Sequence, residues 1–107
     1  MLKLGRNKIY LTRGDTAILK VDILDANGDV YTPIATDEVY MTLRKTPRGD
    51  EIFRHTIQDG ILMIDPEDTE GLPYGNYVYD CELRTASGIV QTFIPATLFR
   101  VMEEVTY

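Results

Sequence analysis

Residues 76–84 alternate from end to end. Tyr77, Tyr79, Cys81 and Leu83 stand at the odd positions, and Val78, Asp80, Glu82 and Arg84 at the even ones. A period of two puts the first set on one face of a β-strand, whereas a helix would scatter it around its axis. The pattern recurs in residues 16–24, where Ala17, Leu19, Val21 and Ile23 oppose Lys20 and Asp22. It recurs again in residues 37–45, with Val39, Met41 and Leu43 against Thr42 and Arg44. Shorter runs at 8–13, 51–57, 61–64, 89–94 and 98–102 read as further strands. Asp25-Ala26-Asn27-Gly28 and Ala86-Ser87-Gly88 supply hairpin turns, and residues 46–50 and 58–60 supply loops. Only residues 65–71 read as helical, for one or two turns, with Asp65 as N-cap, Pro66 at the first position and Gly71 as stop. The chain therefore reads as all-β.

Its 107 residues suit one domain, 1–107, and 44% hydrophobic with 26% charged residues suits a folded globular core. Eleven basic against 17 acidic residues leave a formal charge of −6, which argues against nucleic acid and anionic membrane as partners. The start Met1-Leu2-Lys3-Leu4-Gly5-Arg6 lacks the apolar run of an export signal, and no apolar stretch is long enough to span a bilayer. With one cysteine and one histidine, neither a disulfide framework nor a Cys/His zinc site can be assembled.

The segment after the helical turn carries the most specific signal. In immunoglobulin-like sandwiches a tyrosine two residues before a cysteine, near the start of strand F, hydrogen-bonds back to upstream backbone. Tyr79-Asp80-Cys81 has that spacing. The partner cysteine and the core tryptophan of antibody domains are both missing. The expectation is an immunoglobulin-like antiparallel β-sandwich of seven to eight strands with one short helical turn. Tyr79, Cys81, Gly75, Tyr77 and Asp68 are its fold-defining residues. The alternative is that Tyr79 and Cys81 merely sit in the core of another β-sandwich.

Leu11-Thr12-Arg13-Gly14-Asp15-Thr16, Asp68-Thr69, Tyr74-Gly75-Asn76-Tyr77-Val78-Tyr79-Asp80 and Glu103-Glu104-Val105-Thr106 together carry a family likeness. Over nearly its whole length the chain resembles the immunoglobulin-like amino-terminal domain of phage baseplate upper proteins. Those proteins continue into further domains, so the resemblance implies a stand-alone relative. It implies a non-enzymatic structural or assembly protein of a tailed phage or prophage particle, in the tail, baseplate or neck. Such a protein is made in the bacterial host cytoplasm, resides in the virion, and has other virion proteins or its own copies as partners. The alternative is a sandwich module that binds carbohydrate or a host surface.

Residues that carry chemistry elsewhere have simpler readings here. Arg-Gly-Asp occurs at 13–15 and 48–50, and such tripeptides can dock receptors, but Gly and Asp are what turns require. Asp25, Asn27 and Asp29 resemble the start of a calcium loop, yet the acidic residue such a loop needs at its end is Thr36. Asp65, Glu67, Asp68 and Glu70 suit the first turn of a capped helix better than a cation site. His55 has no second histidine to share catalysis, and Cys81 faces the core as an unactivated thiol. The expectation is no enzyme activity, no cofactor and no metal. Tyr74, Tyr31, Tyr40 and Tyr107 are left as interface candidates, because tyrosine adds contact area at low entropic cost. Pro95 places part of its segment at an edge or bend.

Overall fold

Because each long strand alternates, the chain can close two sheets on one shared apolar layer. The computed structural model describes residues 2–5, as backbone, and 7–104. The elements are β1 (Leu2–Gly5), β2 (Lys8–Thr12), β3 (Ala17–Lys20), β4 (Glu38–Arg44), β5 (Glu51–Thr56), β6 (Ile61–Ile64), α1 (Pro66–Glu70), β7 (Gly75–Arg84) and β8 (Val90–Met102). A six-stranded sheet runs β1-β2-β8-β7-β4-β5, and a two-stranded sheet pairs β3 with β6.

The core follows from the register. Val39, Met41 and Leu43 of β4 lie opposite Leu83, Cys81 and Tyr79 of β7. Tyr77 of β7 and Ile9 of β2 both flank Phe99 of β8. From the smaller sheet, Ala17 pairs with Ile64 and Leu19 with Leu62, and all of these side chains are buried in one cluster. Cys81 is fully buried, and burial pushes its thiol up to about 12.

Three expectations are corrected. The large sheet is mixed rather than antiparallel, because β2 reaches the far side of β8 and pairs with it in parallel through Phe99–Met102. The segments 89–94 and 98–102 are one strand, not two. Pro95 and Ala96 together face the single residue Asp80, a bulge that absorbs the proline without ending the ladder. A second shift lets Phe93 and Ile94, adjacent in sequence, both turn inward. The third correction concerns β3, which ends at Lys20 although the alternation runs on to Leu24. Beyond it, Val21 N–H still donates to Gly60 O and Tyr31 N–H to Ile23 O, so Ile23 stays buried outside the ladder. The structure also adds a strand, β1, antiparallel to β2.

The helical turn forms where its caps lie. Asp65 N–H donates to Asp68 Oδ2 at 2.8 Å, and Pro66 opens the turn where its missing N–H costs nothing. Gly75 starts β7 at φ +137, a conformation side chains avoid. Among the described residues no helix is long and apolar enough to cross a membrane.

Candidate functional site

The strand directions sort the loops to two ends. At one lie the β2–β3 turn, α1 and the start of β7, and this crossover end is cross-tied. Arg13 donates to Tyr74 Oη at 2.9 Å and to Leu72 O at 3.4 Å, and pairs with Glu104 at 3.3 Å. Gly14, at φ +82, donates its N–H to Oγ1 of Thr69, which is fully buried. His55 Nε2 lies 2.7 Å from Asp68 Oδ2, joining edge strand β5 to the helical turn. Lys45 donates to Asn76 O at 2.9 Å and lies over the Tyr77 ring.

Two inward tyrosines of β7, not one, hydrogen-bond back to upstream backbone. Tyr77 donates to Pro73 O, four residues upstream, at 2.7 Å. Tyr79 donates instead to Asn7 O, in the β1–β2 turn. Both tyrosines occupy the inward face, two residues apart, but only Tyr77 lies close enough to the bend to reach back to it. Burial raises the pKa of both phenols.

The interface tyrosines are dispersed. Tyr74 is 44% exposed, but the Arg13 guanidinium lies 4.2 Å over its ring. Tyr31 is half-buried and donates to Asp37 Oδ2 at 2.6 Å, a bond that raises its pKa. Tyr40 is only 6% exposed, which corrects its reading as an interface residue. It sits on the outer face of the large sheet, with Arg54 4.4 Å and Arg84 5.8 Å from its ring. The long arginine stems shield it from water. Its hydroxyl makes no hydrogen bond of ordinary geometry. Tyr107 lies outside the described residues. The first Arg-Gly-Asp is tied through Arg13 and Gly14, while Arg48 and Asp50 of the second stand exposed on the β4–β5 loop.

Two surfaces emerge that the alternation did not single out. On the outer face of the small sheet, Ile18 lies directly opposite Met63, and Ile61 lies two rows further on, opposite Lys20. Ile18 is 61% exposed and Met63 49%. The other surface lies at the end opposite the crossover, where residues 21–37, 57–60 and 85–89 gather. There Val30 and Ile34 stand 75% and 64% exposed beside a cleft of about 780 Å³, with Ile89 of the neighbouring turn and Val90 at the start of β8 also exposed. A sequence signal for this end exists. Between Lys20 and Arg44 the chain holds five acidic residues and no Lys or Arg, and Val30 and Ile34 interrupt what otherwise reads as polar loop.

Asp25 accepts the N–H groups of Asn27 and Asp29, so the residues resembling a calcium loop form a closed turn. Among the described residues no three His, Cys, Asp or Glu converge on a common metal position. Comparison with family models, curated proteins and solved structures returned no match.

Proposed function

We propose that the chain is a non-enzymatic building block of a tailed phage or prophage particle, an immunoglobulin-like sandwich that acts through protein–protein contacts. The observation that carries the association is the outer face of β3 and β6. Ile18, Ile61 and Met63 are exposed there on strands that each have a single partner among the described residues, so apolar area and open backbone edges occur together. Apolar side chains and open edges of this kind are what assembly interfaces cover. The order β8-β7-β4-β5 opposite β3-β6 supports the immunoglobulin-like reading. It corresponds to strands G, F, C and C′ facing B and E, with α1 in the E-to-F crossover. The phage assignment rests on the sequence resemblance at residues 11–16, 68–69, 74–80 and 103–106.

The test is solution mass by light scattering over roughly a hundredfold concentration range, for the wild type and an Ile18→Lys/Met63→Lys double variant. A defined oligomer, or a complex with products of neighbouring genes, that the double variant loses while keeping its melting midpoint is the expected result. A monomer at every concentration, alone and in those mixtures, would overturn the reading.

A further inference from the structure

The cleft at the loop end has a built shape and a one-sided charge. Its floor is apolar and fixed, because Ile23 and Ile57 are buried there, with Ile57 N–H donating to Val39 O. One wall carries Val30 and Ile34, which stand in solvent. The Ile34 position is set by its own N–H, which donates to Asp37 Oδ2 at 3.0 Å. Asp22 and Asp59 stand exposed on the rim. No Lys, Arg or His lines the cleft among the described residues. Carboxylates beside solvent-exposed apolar groups favour a ligand that brings both cations and apolar side chains.

We infer that this cleft receives an extended basic segment of a partner protein, in which apolar side chains alternate with or flank Lys or Arg. An extended chain suits the site because successive side chains point to opposite sides. One set can enter the space between Val30, Ile34 and the apolar floor while its neighbours meet Asp22 and Asp59. The site is separate from the β3–β6 face. It names a partner chemistry for the proposed assembly role, and rests on that reading only in taking the ligand to be a protein.

The test uses the full chain, isotopically labelled, titrated with a synthetic peptide alternating lysine and valine. Two control peptides alternate glutamate with valine and lysine with serine. The expected result is movement of amide signals in residues 21–37 and 57–60, with affinity about tenfold above either control and falling with added salt. The Asp22→Asn/Asp59→Asn double variant should bind about fivefold more weakly, the scale set by exposed charge pairs. Both side chains are exposed, and asparagine tolerates the φ of +54 at Asp59, so the melting midpoint should stay unchanged. Equal binding of either control, shifts confined to the β3–β6 face, no shift, or concentration-dependent shifts at the cleft without peptide would each overturn the inference. The last would mean that a second copy occupies the cleft. Loss of peptide binding would leave an oligomer built on Ile18 and Met63 standing, and a strict monomer would leave the peptide shifts intact, so the two proposals fail separately.

Discussion

The two ends of the sandwich are built by opposite rules. At the crossover end, bonds between side chain and backbone span long sequence separations: Arg13 to Leu72 and Gly14 to Thr69. At the loop end the side-chain bonds are short-range, such as Asp25 to Asn27 and Asp29, and Tyr31 and Ile34 to Asp37. The first end spends its polar groups on joining strands. The second closes each loop on itself and leaves Val30 and Ile34 facing water. Local closure stiffens a loop without committing its apolar side chains, which keeps them available to another molecule.

The largest expected effect concerns the core that joins the two ends. Cys81 ionises at an ordinary 9.0 in the unfolded chain and at about 12 when buried. The unfolded state therefore releases its proton first, so stability is intact below pH 9 and is lost as pH climbs toward 12. Denaturant melts should fall by on the order of 2–3 kcal/mol by pH 11, with a flatter decline in Cys81→Ala. Equal slopes in the two proteins would place the alkaline sensitivity elsewhere.

Next in size is Thr69→Val at the crossover end, which keeps the shape but removes the acceptor for Gly14 N–H. It should cost about 2 kcal/mol in urea denaturation. Tyr77→Phe loses the bond to Pro73 O and should cost about 1 kcal/mol, as should Tyr79→Phe through Asn7 O. The loop end should respond much less. Val30→Ser and Ile34→Ser should each stay within about 0.5 kcal/mol of wild type by calorimetry, because neither side chain is buried. Tyr40→Phe should be as mild, since its hydroxyl meets Glu82 and Arg84 without a hydrogen bond of ordinary geometry. A large loss at Val30 or Ile34 would erase the contrast between the ends.

The sequence discloses what is periodic and local. β7, β4 and β6 are legible because each keeps one face apolar throughout, and α1 because its cap, proline and glycine are contiguous. What it hides depends on distant partners. Nothing in residues 8–12 states that they will lie parallel to 99–102, and Pro95 looks like an interruption until Asp80 is seen facing two residues. Tyr77 and Tyr79 share a face, and spacing from Cys81 picks out Tyr79 but discloses neither its distant acceptor Asn7 O nor the bond of Tyr77 to Pro73 O. Tyr40 belongs to the polar face by alternation, and only the arginines of β5 and β7 explain its burial. The loop-end cleft is hidden for the same reason, since its walls come from separate segments, within 21–39 and at 56–60.

The parallel pairing of β2 with β8 also determines how the fold would bear load. Leu2 lies beside Leu11, and Leu11 beside Val101, so pulling on residues 2 and 102 first peels β1 from β2 one row at a time. After that the force enters β2 at Lys8 and leaves β8 at Met102, at opposite ends of their shared ladder. The rows Ile9–Phe99 through Thr12–Met102 are then strained together in shear rather than opened in turn, with Arg13 N–H to Met102 O closing the series. Under such a load the fold should give way at β1 before the β2–β8 ladder.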